Sequence, residues 1–151
     1  MIINVENISP SRIAYIRQTG SYGLGNIQAM EHLKHWAKTN DLMNNKTVIL
    51  GIAHDDPQIM PPENCRYDVC ILLPEGYLIE NADVQLGDIA GGKYAVCIVK
   101  HTTEAIKQAW AEIFQKLSAD NYLPDPTRPI LERYAAPLIE QHLCEICVPI
   151  N

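Results

Sequence analysis

A glutamate inside an apolar strand pattern is the residue of this sequence that most strongly suggests a binding site. Glu132 lies within residues 130–134, where apolar and aromatic neighbours predict a strand. Side chains two residues apart on a strand point to the same side, so Glu132 and Tyr134 share a face. A carboxylate partly removed from water attracts a cation, and an aromatic neighbour adds about 0.5–2 kcal/mol of cation–π attraction. The pair predicts an anchor for a cationic ligand; the alternative is an edge-strand Glu132 paired with Arg133, Arg128 or a lysine.

Two tryptophans and a further tyrosine are the other candidates for ligand contact. Trp36 and Trp110 lie on the two predicted helices, and Trp110 belongs to an apolar stripe with helical spacing. Tyr67 lies at the start of a predicted strand. Large rings at such positions usually belong to the core, and the functional interpretation is that they line a groove and stack on a flat ligand. From the residues alone, both interpretations stay open.

The other reactive residues form no recognisable catalytic or metal-binding motif. His32 and His35 have i,i+3 spacing, which can place two imidazoles on one metal, but no cysteine or carboxylate completes a site. Cys144 and Cys147 have C-x-x-C spacing, yet they lie on a predicted strand and should point to opposite faces. No P-loop, dinucleotide, G-x-S-x-G or H-E-x-x-H pattern occurs in the sequence. We therefore assign no catalytic residue, no metal and no cofactor.

The cysteine count indicates thiols rather than disulfides. Five cysteines are an odd number, in a chain of 151 residues that is too large to depend on cross-links. We expect Cys70, Cys97 and Cys147 to be buried and reduced.

The charge balance indicates which partners the chain favours. Twelve basic and eighteen acidic residues give a formal net charge of −6, which repels phosphate backbones and slightly favours cationic partners. We therefore expect no direct binding of nucleic acid. No apolar run approaches the roughly 20 residues needed to cross a bilayer, and the N-terminus lacks the pattern of a secretory signal. We expect no membrane association and a cytoplasmic location.

The order strand, helix, strand, strand occurs twice along the chain. Strands are predicted at residues 12–17, 47–53, 67–73, 94–99, 129–134 and 144–148, and helices at about 26–38 and 103–119. A shift of 81 pairs Ala14 with Ala95, Leu33 with Phe114, Leu42 with Leu123 and Ile49 with Ile130, and the last strands match at a shift of 77. We predict an α+β fold and one domain over residues 1–151, with internal repeats at about 1–80 and 81–151.

A duplicated fold places the candidate residues in a groove. Two β-α-β-β units about a pseudo-two-fold axis form an antiparallel sheet with a helix on each half, and a ligand groove lies between the helices. At a shift of 81, Glu132 is equivalent to Gly51 and Tyr134 to Ala53. The second half thus carries a carboxylate and a phenol where the first half leaves space, which predicts a pocket with one charged anchor.

Three segments of the sequence resemble, in their order and spacing, the segments of a known family. Residues 90–96 (AGGKYAV) resemble the family's G-G-x-Y-A-V strand, and residues 65–70 (CRYDVC) resemble its R-Y-D-x-C/V strand. Residues 129–134 (PILERY), followed by 145–150 (EICVPI), resemble its P-x-x-E-x-Y segment and closing apolar strand. The family consists of the effector-binding domains of AraC-type regulators and the free-standing gyrase-inhibitor-like (GyrI-like) proteins, and the resemblance covers essentially the whole chain.

The resemblance implies a two-repeat β-α-β-β fold whose pocket between the helices binds hydrophobic, often cationic, compounds. The family's pocket glutamate falls on Glu132, and its helix tryptophans fall on Trp36 and Trp110. One departure is Arg133, because relatives often carry an apolar residue at that position. The predicted ligand-binding residues are Glu132, Tyr134, Trp110, Trp36 and Tyr67.

The predicted function is that of a stand-alone module that binds a cationic, hydrophobic or aromatic drug-like compound, of the kind multidrug sensors recognise. It would sense or sequester this effector and act on transcription through a separate DNA-binding or protein partner, because no helix-turn-helix segment precedes the domain in this sequence. One alternative is a hydrolase of reactive genotoxic small molecules, in which Glu132 orients or deprotonates a water. The other is a protein that binds and modulates a topoisomerase.

Overall fold

The computed structural model describes residues 1–79 and 83–151, which form an eight-stranded antiparallel sheet with helices. In chain order the elements are β1 (Ile3–Ile8), β2 (Ser11–Thr19), α1 (Leu24–Thr39), β3 (Val48–Ala53), β4 (Arg66–Leu72), β5 (Gln85–Ile89), β6 (Gly92–Lys100), α2 (Thr103–Ala119), β7 (Leu131–Ala135), α3 (Ala136–Ile139) and β8 (Leu143–Pro149). A short 3-10 helix at Pro62–Asn64 precedes β4. The predicted α+β class is confirmed.

The predicted helices and strands are all present, and most boundaries differ by one or two residues. The helix predicted at 103–119 is α2 with the same bounds. The strand predicted from Pro129 begins later, at Leu131. Four elements were not predicted, namely β1, β5, the four-residue helix α3 and the 3-10 helix at Pro62–Asn64.

The strand order is symmetric about the centre of the sheet. It runs β1-β6-β8-β7-β3-β4-β2-β5, so the equivalent strands β3 and β7 are neighbours in the middle. Gly51 on β3 pairs with Glu132 on β7, and the shift of 81 makes these two residues equivalent. The pseudo-two-fold axis therefore passes between them, and the predicted pair of β-α-β-β units is confirmed as β2-α1-β3-β4 and β6-α2-β7-β8.

Each unit is preceded by a strand that joins the other unit. β1 comes before β2 in the chain but pairs with β6, and β5 comes before β6 but pairs with β2. Only residues 9–10 and 90–91 connect these strands, so the two connections cross. A Cβ atom on Gly91 would lie 2.5 Å from Pro10 Cδ and 2.7 Å from the Ile8 carbonyl oxygen. The crossing therefore requires glycine at position 91.

The two long helices cover one face of the sheet, and the other face curls around a core of its own. α1 packs on β2 and β4, and α2 packs on β6. Leu33 and Ile113 are fully buried in the two helix–sheet cores. The concave face encloses a third core that includes Leu50 and Leu131. The central strands β3 and β7 lie between the two helices, which leaves a groove over the axis.

The helices are related by a different shift from the strands. The buried residues Ala29, Leu33 and Ala37 of α1 match Ala109, Ile113 and Leu117 of α2 at a shift of 80. Leu33 is fully buried, whereas Phe114, its predicted partner at a shift of 81, is 45% exposed. Asp41 and Asn121, both with positive φ after their helices, are also 80 residues apart. The true partner of Leu33 is therefore Ile113.

The cysteines are free thiols in the interior, as predicted for Cys70, Cys97 and Cys147. Burial raises the pKa of the Cys97 thiol and raises that of Cys147 to about 12. Cys144 lies in the core beneath α2, whereas Cys147 lies in the concave core. The two thiols of the C-x-x-C segment therefore diverge, as the strand pattern predicts.

Candidate ligand-binding site

A cleft of about 550 Å³ opens over the central strands on the face that carries the helices. This volume is within the range of small-molecule pockets. Ile49, Tyr67 and Tyr134 of β3, β4 and β7 form its floor. The walls come from α1, the loop that follows α1, the start of α2 and the α3 region, namely Asn26, Ile27, Met30, Glu31, Lys34, Met43, Asn44, Thr47, His101, Thr103, Ala136 and Ile139.

Glu132 is partly buried next to this floor and accepts hydrogen bonds from two phenols. Tyr67 Oη lies 3.1 Å from Glu132 Oε1, and Tyr134 Oη lies 3.2 Å from Glu132 Oε2. Both tyrosine rings line the cleft. The structure therefore brings together three of the five predicted ligand-binding residues, with the carboxylate held behind two aromatic rings.

The strand register explains how these side chains meet. Glu132 pairs with Gly51 of β3, and Tyr67 of β4 pairs with Ala53 of the same strand. A Cβ atom on Gly51 would overlap the Tyr67 hydroxyl and would lie 3.3 Å from Glu132 Oε1. The space predicted at Gly51 is present, and the phenol of Tyr67 from the first half occupies it.

The environment of Glu132 opposes its ionisation in the empty protein. Burial raises the pKa of this carboxyl, although hydrogen bonds from Tyr67, Tyr134 and Trp110 favour its charged form. Burial and the neighbouring Glu132 charge also raise the pKa of Tyr67 and of Tyr134. Both phenols are therefore neutral hydrogen-bond donors at ordinary pH. A cation entering the cleft would stabilise the carboxylate and would be attracted by it.

The two predicted tryptophans occupy different environments. Trp110 is partly buried against the core beneath α2, and its side chain is one of the influences that lower the pKa of the Glu132 carboxyl. Trp36 is 6% exposed within the core beneath α1. Neither ring lines the cleft as the described residues form it. Ligand contact by Trp110 and Trp36 stays a prediction.

Several lining residues were not singled out from the sequence as ligand contacts. Ile27 and Met30 belong to the apolar stripe of α1, but a stripe alone does not distinguish a core residue from a cleft residue. Met43 follows the helix in a loop, and methionine side chains adapt readily to ligands of different shape. His101 lies beside Tyr134, with 5.4 Å between the ring centroids. Only the fold brings His101 and Tyr134 together, because 33 positions separate them in the chain.

Arg133 points to the opposite, concave face and does not pair with Glu132. Its guanidinium donates to Glu145 at 2.8 and 2.9 Å and to Glu6 at 2.8 and 3.0 Å. Arg128, the other candidate partner, forms an ion pair with Asp125. Arg133, which departs from the family pattern, is therefore paired with two carboxylates on the concave face. Glu132 faces the cleft side and has no arginine partner in the part of the chain that the structure describes.

Residues 1–79 and 83–151 form neither a cluster of metal ligands nor a membrane-spanning helix. No three His, Cys, Asp or Glu side chains in these ranges lie close enough to hold a metal ion. No helix in them is both long and apolar enough to cross a membrane.

Comparison with known families identifies the class of protein. Residues 1–151 match the model of the GyrI-like small molecule binding domain. The chain therefore belongs to this family, and the resemblance inferred from the three sequence segments is confirmed.

Two relatives illustrate the range of names within the family. The chain is 44% identical over 152 residues to YosT, an SPbeta prophage-derived protein of Bacillus subtilis (strain 168) whose name assigns it provisionally to transcriptional regulation. That similarity covers 100% of both chains. The chain is also 28% identical over 110 residues to the DNA gyrase inhibitor of Escherichia coli (strain K12), which covers 71% of this chain and 68% of the relative.

Two solved structures share the fold. The C-terminal domain of EcmrR has a TM-score of 0.75 and 14% identity, with coverage of 100% of this chain and 99% of that domain. In the EcmrR–DNA complex, the chain spans 57% of the length of the EcmrR chain. SAV2435 bound to tetraphenylphosphonium has a TM-score of 0.61 and 15% identity, with coverage of 100% and 94%.

Proposed function

We propose that this protein binds a small hydrophobic organic cation in the cleft beside Glu132. The observation that carries the proposal is the partly buried carboxylate, whose two oxygens accept hydrogen bonds from Tyr67 and Tyr134 at the cleft floor. A carboxylate behind two aromatic rings, ionised when a cation is bound, combines ionic with cation–π attraction. The net charge of −6 favours the same class of ligand.

The apolar walls indicate which cations fit. Ile27, Met30 and Ile139 offer apolar contact at the sides, and Ile49 does so at the floor. Aryl or other bulky apolar groups around the charge would be removed from water against these residues. The related SAV2435, bound to tetraphenylphosphonium, supports this ligand class. Trp110 would contribute by favouring the charged form of Glu132, and Trp36 by packing in the core beneath α1.

The biological role that we propose is effector sensing or sequestration in the cytoplasm, by a single ligand-binding domain. The provisional regulatory name of YosT supports a link to transcription, as does the position of the same fold within the longer DNA-bound EcmrR chain. Contact with DNA would then require a separate DNA-binding partner, because the negative charge of this chain disfavours phosphate backbones.

The test uses two probes of nearly the same shape and opposite charge, tetraphenylphosphonium and tetraphenylborate, in calorimetric titrations. Wild-type protein should bind the cation and discriminate against the anion. Glu132→Gln keeps the shape of the side chain and removes its charge. Losing a partly desolvated ionic contact should weaken cation binding by roughly ten- to a hundredfold, or about 1.5–3 kcal/mol.

The matched control is Glu31→Gln, because Glu31 is an exposed carboxylate on the wall of the same cleft. Exposed charges contribute little, so cation affinity should change by less than about threefold. Tetraphenylborate binding should not weaken in either variant. If Glu132→Gln left cation affinity unchanged, or weakened both probes alike, Glu132 would be a structural residue and the proposal would fail.

A further inference from the structure

The cleft is one-sided although the fold is symmetric. Five of its lining residues come from α1, whereas α2 contributes only its first residue, Thr103. Both helices flank the same pseudo-two-fold axis, which passes between Gly51 and Glu132. A symmetric groove would extend equally toward both helices, whereas this cleft follows α1 and meets α2 only at its first residue.

The helix alignment identifies the position concerned. Because Leu33 of α1 matches Ile113 of α2 at a shift of 80, Met30 matches Trp110. Met30 lines the cleft. Trp110, at the equivalent position, is partly buried against the core beneath α2 and does not line the cleft. The same place on the two helices therefore borders open space in one half and is filled by an indole in the other.

The location of the indole agrees with this assignment. Hydrogen bonding from the Trp110 side chain is among the influences that lower the pKa of the Glu132 carboxyl, and α2, which carries the ring, packs on β6 of the second half. Tyr67 and Tyr134 donate to the two oxygens of the same carboxylate. An indole on the α2 side of Glu132 would close the groove where it would otherwise continue toward α2.

We propose that Trp110 determines the size of ligand that this protein accepts, by closing the symmetry-related half of the groove. This inference rests on the proposed binding of organic cations beside Glu132. The protein accordingly accepts compact cations that occupy the α1 side, and it excludes elongated dications whose second ring system would extend toward α2. Methionine at position 110 restores the residue that the symmetry gives to α1 and opens the groove through both halves.

The experiment compares wild type with Trp110→Met, using tetraphenylphosphonium as the compact cation and dequalinium as the elongated dication. The variant should bind dequalinium more tightly by roughly tenfold or more, relative to tetraphenylphosphonium, since apolar pocket contacts discriminate on this scale. Trp110→Phe, a milder change that preserves folding if methionine does not, should shift the ratio in the same direction and less far. Phe114→Leu, on the exposed side of the same helix, should leave the ratio unchanged.

Crystal structures of the unliganded variants provide a readout that does not depend on binding. An enlarged cleft that passes Glu132 and borders α2 supports the inference. This holds even if wild-type protein binds neither cation, because the lack of binding would overturn only the proposed function. A variant whose cleft ends at Glu132 as in wild type overturns the inference. An unchanged ratio of affinities, in variants that still bind tetraphenylphosphonium, also overturns it.

Discussion

At the residue scale, the proposed site depends on a carboxylate that is difficult to ionise when the cleft is empty. Glu132 was predictable from the sequence because a charged residue interrupts an apolar strand, and its alternation with Tyr134 fixes a shared face. Its hydrogen bond to Tyr67 was not predictable, because that contact requires β4, β3 and β7 to be neighbours in the sheet. The order of the strands determines which residues from distant segments come into contact, and no local sequence pattern encodes that order.

The raised pKa of Glu132 leads to a pH dependence of binding. Burial favours the protonated form in the empty protein, whereas a bound cation favours the carboxylate. Affinity for tetraphenylphosphonium should therefore fall as pH decreases through the raised pKa, by up to about tenfold for each further pH unit, with one proton released on binding. Calorimetric titration in buffers of different ionisation enthalpy measures both the affinity and the released proton.

Besides the neutral phenols of Tyr67 and Tyr134, three ionisable groups among the described residues line the cleft, namely Glu31, Lys34 and His101. Glu132→Gln removes the Glu132 contribution and leaves these three, so it should abolish the proton release at acidic pH. If the variant kept the full pH dependence, another lining group would be responsible.

The raised pKa of Glu132 also affects the stability of the empty protein. Because the pKa is higher in the folded than in the unfolded state, ionisation of Glu132 destabilises the native state as pH rises. Glu132→Gln should therefore hold or raise the free energy of unfolding at neutral pH.

At the scale of elements, the central strand β3 makes the site possible through a single missing side chain. A Cβ atom at Gly51 would overlap the hydroxyl of Tyr67. Gly51→Ala should displace that phenol, break its hydrogen bond to Glu132 and destabilise the protein by about 1–3 kcal/mol in urea denaturation. Cation affinity should fall as well, because the displaced ring would enter the cleft.

A double-mutant cycle distinguishes this local collision from a general effect on β3. Tyr67→Phe removes the hydroxyl that the new methyl group would meet. The double variant Gly51→Ala/Tyr67→Phe should therefore be less destabilised than the sum of the single variants, by more than about 0.5 kcal/mol. Strictly additive effects would mean that Gly51 matters for a reason other than its contact with Tyr67.

Elements with strong apolar periodicity were predictable, and those without it were not. α2 has a regular buried stripe and a Thr102 cap whose side chain accepts from the Ala105 backbone N–H, so both of its ends were predicted. β1 and β5 are edge strands with mostly exposed or half-exposed residues, so they lack the pattern of a buried strand. The helix shift of 80 was missed because Phe114 and Leu33 are both large and apolar, and only burial separates them.

At the scale of the whole molecule, the two halves are joined by strand exchange as well as by the central β3–β7 pair. β1 completes the second half and β5 completes the first. The sequence does not reveal this exchange, because each strand is adjacent in the chain to a unit with which it does not pair. Each half therefore depends on a strand from the other for the outermost position of its part of the sheet, and we expect the two halves to unfold together.

The crossing of residues 9–10 and 90–91 is the point where this dependence can be tested. Gly91→Ala would place a methyl group 2.5 Å from Pro10 Cδ and 2.7 Å from the Ile8 carbonyl oxygen. These atoms belong to the backbone or to a proline ring, so they cannot move without disturbing the pairing of β1 with β6. The variant should lose about 1–3 kcal/mol of unfolding free energy in urea denaturation, and β1 amides should exchange faster with deuterium.

Gly87→Ala on β5 is the matched control, since its new methyl group would meet mainly the movable side chain of Tyr15, at 3.1 Å. It should change the unfolding free energy by less than about 1 kcal/mol. Equal stability of the two variants would show that the crossing tolerates a side chain, and that strand exchange contributes less to the fold than the close approach at Gly91 implies.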